Sequence, residues 1–333
     1  MEEKRVDEAT VEKKGIKDKL VNVADSLGKT TAVVAKKTVE GLDKSKEAVF
    51  KAIDQNGDGE VGIEDVIIMG LKVPGIKINR EAFLRKELFK KYPQEVIDDA
   101  VKYNPMHANI SQGDIEKIVD EVIQYERMCV SGISTALGMP GGVSMVATIP
   151  ADIAQYYGYM LRATQKLLYL YGFPEIELKE KEQTFDTETM NTLIVCMGVM
   201  YGVAGANNAL KAMAKALGTG VEKQLINKAL TKGTIYPIVK SVSKWFGVKM
   251  TKEVFAGFFK KAIPVVGGVI GGGITYASFK PCCDRLRKTL KDTMLSNPDY
   301  NMTENKENII DIESGIEVEI SDEDIIDVEI LEE

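Results

Sequence analysis

From Ile16 onward the apolar residues Leu20, Val23, Leu27 and Val34, then Leu42, Val49 and Ile53, fall on one helical stripe with lysines on the opposite face. Residues 1 to 15 are charged and aperiodic. The stripe is interrupted at Gly28-Lys29-Thr30-Thr31, which resembles the end of a phosphate-binding loop. Such a loop needs glycine at position 23, where this chain has Val23, and a buried strand before it, so a nucleotide site is rejected. Further on, the pattern predicts polar amphipathic helices over Val66 to Leu71, over Arg80 to Lys91 before Pro93, and over Gln94 to Tyr103. Another opens at Ser111, where Ser111 and Asp114 resemble a capping box.

Near Cys129 the character changes. Residues 129–172, 190–218 and 254–279 are apolar and rich in small residues, with charged links at 175–188 and 218–232 that make them separate helices. The expected fold class is therefore all-α. A charged helical segment occupies 1–43, a helix-loop-helix module 44–119, a glycine-rich apolar helical domain 120–292, and an acidic tail 293–333. The tail alternates isoleucine or valine with acids, as in Ile310-Asp-Ile-Glu. It reads as disordered, with addition to a protein partner as an edge strand as the alternative.

Charge sharpens this division. Residues 301 to 333 hold 13 acids and only Lys306 as a base, a local −12, which leaves the first 300 residues at +5 against the total of −7. A mildly basic body suits an anionic surface such as a phospholipid headgroup layer; a tail that only keeps the protein soluble is the competing reading. The chain begins Met1-Glu-Glu-Lys-Arg with no apolar run behind it, unlike a secretory signal. The four cysteines fit neither a zinc ribbon nor a disulfide framework. The expected location is the cytoplasm, including the inner face of the cell membrane.

Residues 54 to 65 read Asp-Gln-Asn-Gly-Asp-Gly-Glu-Val-Gly-Ile-Glu-Asp. Oxygen side chains fall at loop positions 1, 3 and 5 as Asp54, Asn56 and Asp58. Gly59 stands at the sharp turn of position 6, the Glu60 carbonyl at position 7, and Asp65 at position 12. This is the spacing of an EF-hand loop, and these five residues are the predicted Ca²⁺ ligands, with water expected at Gly62. Val61 is expected to point into the core. Ile53, Phe50 and Val49 line the inner face of an entering helix, with Lys46 and Lys51 left for solvent, and Val66 and Met69 begin an exiting helix. Asp65 replaces the usual bidentate glutamate and is one methylene shorter, so it must come closer or bind through one oxygen. Affinity is then expected on the order of 10⁻⁵ to 10⁻³ M. A second loop, with Tyr103 and Pro105 at positions 1 and 3, Ile110 at position 8 and Asp114 at its end, offers at best a structural partner.

Residues 262 to 279 form an uncharged run of 18, the lower limit for spanning a bilayer. Gly267 with Gly271, and Gly268 with Gly272, allow close helix contact, while Pro264 and the glycines make a poor solitary helix. The other apolar segments contain Asp152 and Arg162, and Asn207, Asn208 and Lys211, which are costly in lipid. A glycine-packed core, shallow insertion and true spanning all stay open. Leu137-Gly-Met-Pro-Gly-Gly, Ala147-Thr-Ile-Pro-Ala-Asp152, Tyr159-Met-Leu-Arg162, Leu170-Tyr-Gly172 and the glycine-rich Ile263-Pro-Val-Val-Gly-Gly block resemble the EcsC family over about residues 120 to 290. The resemblance implies a helical bacterial domain with no assigned activity and no catalytic residues to carry over. The EF-hand lies outside it, as an added module.

Material for catalysis is sparse. His107 lies in a polar loop and reads as an exposed loop residue. Pro150 suggests that a helix starts nearby, with Asp152 in or before its first turn, and Arg162 either pairs with Asp152 or finds an acid elsewhere. Basic residues are dispersed without an aromatic platform, which argues against nucleic acid. Trp245 and Phe246 after Lys240 and Lys244 suit either an interfacial helix or a core. The expectation is a non-catalytic, calcium-responsive, EcsC-like protein associated with a membrane surface or a membrane protein complex. The alternatives are a constitutive cytoplasmic scaffold with structural calcium and a lipid-acting hydrolase using Asp152.

Overall fold

The computed structural model describes residues 51–137, 144–176, 187–220, 226, 229, 230, 233, 235–249 and 267–300. The striped segment before Lys51, the acidic tail after Tyr300 and residues 254–266 of the apolar run 254–279 lie outside these residues. The described chain is helical, without a strand among the described residues. Its helices are α1 (Ile63–Lys72), α2 (Arg80–Leu88), α3 (Gln94–Lys102), α4 (Gln112–Leu137), α5 (Ser144–Leu170), α6 (Thr187–Tyr201), α7 (Ala206–Gly218), α8 (Tyr236–Lys249) and α9 (Gly267–Lys291).

Local chemistry explains most of the helix boundaries. The Asn79 side chain accepts from the Ala82 N–H at 2.8 Å and caps α2. Pro93, which cannot continue a helix, precedes α3. Ser111 Oγ accepts from Asp114 N–H at 3.1 Å at the start of α4. The Asp114 carboxylate itself goes to Lys91 and to Tyr92 Oη. Three boundaries differ from expectation: α1 begins at Ile63 and not Val66, α2 ends at Leu88 and not Lys91, and Pro150 lies inside α5, which begins six residues earlier at Ser144. Proline there removes one donor, the partner of the Val146 carbonyl, and the remaining turns carry the helix through.

The long α4 packs against both α5 and α9, α6 bridges α9 and α7, and α8 lies on α6. A single buried apolar cluster runs from Ile63 to Leu295. Helices that follow the loop and the small-residue helices therefore share one core, and α4 runs without a break past residue 120. Trp245 packs against this cluster and Phe246 is fully inside it, their rings meeting Tyr201 at 5.8 and 5.0 Å. Phe246 belongs to the core, and Trp245 lies partly buried at its edge. Among the described residues no helix is long and apolar enough to cross a membrane.

Buried polar groups tie the peripheral helices down. Arg80 donates to the carbonyls of Phe173, Val101 and Tyr103, closing the end of α3 against α5. Gln165 is fully buried and satisfied at both ends, accepting from Ile78 N–H and donating to the Ile76 and Leu161 carbonyls. The connection from α1 to α2 is thereby laid along α5.

Candidate metal loop

Residues 51 to 53 are helical, and the chain then winds through 54–62 into α1. Asp54 directs the winding: Oδ1 accepts from Gly57 N–H at 2.7 Å and Oδ2 from Gly59 N–H at 3.0 Å. Asn56 Oδ1 accepts from Asp58 N–H at 2.9 Å, and Asp58 Oδ1 from Glu60 N–H at 2.8 Å. Each side chain is folded back over its own turn, the local bonding that aspartate and asparagine offer in turns. Two positions need positive φ, Gly57 at +76° and Gly59 at +83°. Gly59 was anticipated as the turn; the need for glycine at 57 was not.

Asp65 closes the loop from the far side. It is fully buried. Its Oδ1 accepts from Gln55 N–H at 2.8 Å and Asn56 N–H at 3.1 Å, and its Oδ2 from Gly62 N–H at 2.8 Å. Gly62 is the N-cap of α1 and Asp65 its third residue, so one carboxylate caps the helix and staples both ends of the loop. A carboxylate offers about four acceptor positions. Three are taken by N–H groups, which leaves one, on Oδ2.

The donor set is chemically apt for a hard cation. Asp54, Asn56, Asp58, the Glu60 carbonyl and Asp65 present oxygen only, and Asn56, Asp58 and Glu60 are exposed to solvent and to incoming ions. Val61 is buried and Ile53 is fully buried, as the inner-face positions require. Among the described residues no three or more His, Cys, Asp and Glu side chains are gathered tightly enough to hold an ion by themselves. The loop's three aspartates are thus not drawn together as a bare acid cluster. The Asn56 amide, the Glu60 carbonyl and water have to complete a shell of six to eight oxygens. Asn56 Nδ2 now donates to Asp58 Oδ2 at 2.8 Å, a bond that an ion would compete with. Tyr103 and Asn104 open the stretch considered as a second loop, which folds as a turn with no strand pairing Val61 to Ile110.

The other candidates resolve differently. Arg162 pairs with Glu126, Nε to Oε1 at 3.1 Å, and donates to the Gly75 carbonyl at 2.9 Å. Lys166 reaches the same Oε1 at 2.5 Å. Glu126 is completely buried and its Oε2 has no partner. Nothing in the local sequence marks this triad, because its members are 36 and 40 residues apart. The side chain of Asp152 lies outside the described residues. His107 is exposed, with its ring 4.2 Å from that of Tyr103. All four cysteines are free and buried; burial pushes the thiol of Cys196 up to about 12 and that of Cys282 up to about 11. No family model, no curated protein and no solved structure matches the chain.

Proposed function

We propose that the protein binds one calcium ion at residues 54–65. Asp54, Asn56 and Asp58 supply side-chain oxygens, Glu60 its carbonyl, and Asp65 the one carboxylate position left on Oδ2. The observation that supports this most is the winding of Asp54, Asn56 and Asp58 over successive loop N–H groups, at 2.7 to 3.0 Å, within an oxygen-only donor set.

The rest of the chain is read as a non-catalytic, EcsC-like helical body that works at a membrane surface. Phe89 supports this: it is 75% exposed just past α2, with Lys86, Lys90 and Lys91 exposed around it. An apolar ring among ammonium groups suits the headgroup layer of an anionic bilayer.

Calorimetric titration of calcium into the purified protein tests the first part, with Asp54→Ala as control; saturable heat lost in the variant is expected. Co-sedimentation with phosphatidylserine vesicles, for the wild type and Phe89→Ser, tests the second. Equal sedimentation of the two would remove Phe89 from the account.

A further inference from the structure

The helix that leaves the loop is a strut of the core. Eight of its ten residues are buried: Ile63, Asp65, Val66, Ile67, Ile68, Met69, Gly70 and Leu71. It packs against α5, α6 and α8. Against α5 the backbones themselves touch: a Cβ added at Gly70 would lie 2.8 Å from Gly158 N and 3.0 Å from Leu161 Cδ1. The remaining two side chains are also tied. Glu64 Oε1 accepts from Ser243 Oγ on α8 at 3.0 Å, and Lys72 Nζ donates back across the loop to Gln55 Oε1 at 2.9 Å.

A sensor EF-hand works by swinging its exit helix to bare an apolar groove. Here no face of α1 is free to lead such a swing. Moving it would strip Ile63, Val66, Ile67 and Leu71 from the shared core and part the Gly70–Gly158 contact. The closing residue of the loop is also an interior residue of that packing, since Asp65 is fully buried.

We infer that an ion in this loop acts as a clasp on the folded body: occupancy is linked to the folding of the whole helical core and drives no opening. This rests on the calcium reading above. The ion fastens residues 54 to 60 to Asp65, Asp65 fixes the first turn of α1, and α1 fixes α5, α6 and α8. Calcium therefore adds to global stability by mass action, in proportion to ln(1 + [Ca²⁺]/Kd).

The test uses the full chain in calcium or in chelator, with magnesium as a second control. Three quantities are measured: the thermal midpoint, the fluorescence of a dye that binds exposed apolar surface, and amide hydrogen exchange in 63–72 against 159–168. At a hundredfold excess of calcium over its dissociation constant, Tm rises by roughly 5 °C. Dye fluorescence does not increase, and exchange slows by the same factor in both segments. Heat of calcium binding accompanied by rising dye fluorescence, or by faster exchange in 63–72 than in 159–168, would overturn the clasp and leave the binding site standing. No heat at all removes the calcium reading and the clasp with it. Asp54→Ala and Asn56→Ala each lose two loop hydrogen bonds, so each variant is referred to its own Tm in chelator; with Asn56→Ala, at an exposed position, as the second variant, the calcium-dependent gain in Tm at a fixed calcium concentration falls below that of the wild type.

Discussion

Gly70 of α1 and Gly158 of α5 stand with backbone against backbone, and a methyl group on Gly158 would lie 3.1 Å from the Gly70 carbonyl oxygen and 3.2 Å from Ile76 Cγ1. A Cβ at position 70 meets main-chain atoms, which cannot rotate away. Gly70→Ala is therefore expected to lower unfolding stability by about 1 to 3 kcal/mol, despite the better helix propensity of alanine. Chemical denaturation at fixed calcium measures it; a neutral or stabilising result would mean that α1 and α5 are not so closely apposed.

Glu126 is the buried negative centre of the α4–α5 seam. Removing it leaves Arg162 and Lys166 without their acid, and Lys166 is itself buried. Glu126→Ala should cost about 3 to 5 kcal/mol, the range for breaking a buried pair from one side. The double variant Glu126→Leu with Lys166→Met removes the more buried of the two cations as well and should recover part of that loss, Arg162 keeping its bond to the Gly75 carbonyl. Denaturant midpoints of the single and double variants decide between an electrostatic and a purely steric role.

Acid should weaken the fold through Glu116. Burial alone would raise its carboxyl, but hydrogen bonds from Tyr171 and Arg287 and the nearby charges of Arg287 and Lys291 outweigh that and hold it below the ordinary value. A carboxyl depressed in the folded state stabilises above its unfolded value, about 4.3, and that contribution fades as pH falls through the folded one. Tm is expected to drop on acidification below about pH 4.5, and less steeply in Glu116→Gln. Parallel profiles for the two proteins would place the acid sensitivity elsewhere.

The thiols should be silent in the native state. Cys129, Cys196, Cys282 and Cys283 are all buried, and burial raises each above the ordinary thiol value. Colorimetric thiol titration is expected to find almost no reactive group at neutral pH, and all four after denaturation. Rapid labelling of the native chain would contradict the packing of α4, α6 and α9.

What could be read in advance was what depends on neighbours in the chain. The loop geometry follows from Asp54, Asn56 and Asp58, whose side chains accept from N–H groups two to five positions away, and from Gly59; Gly57 was not singled out. The starts of α2, α3 and α4 follow from Asn79, Pro93 and Ser111. Pro150 misled because proline usually marks a helix start, whereas here it sits in the seventh position of α5 and surrounding turns compensate. Glu126 was invisible for another reason: its worth comes from Arg162 and Lys166, brought near only when α4 and α5 pack. The same holds for Phe246, buried where α8 packs on α6, and for Trp245, partly buried beside it, both with rings against Tyr201. Asp65 was expected as an ion ligand; that it also staples Gln55, Asn56 and Gly62 depends on three-dimensional closure of the loop.

The most direct measurement is equilibrium dialysis of the full chain against radioactive calcium, beside Asp54→Ala and Asn56→Ala. The account predicts one ion per chain, half-saturating on the order of 10⁻⁵ to 10⁻³ M, with Asp54→Ala abolishing binding and Asn56→Ala weakening it. No saturable uptake up to several millimolar calcium, or uptake unchanged in both variants, would contradict the assignment of residues 54–65 as the calcium site.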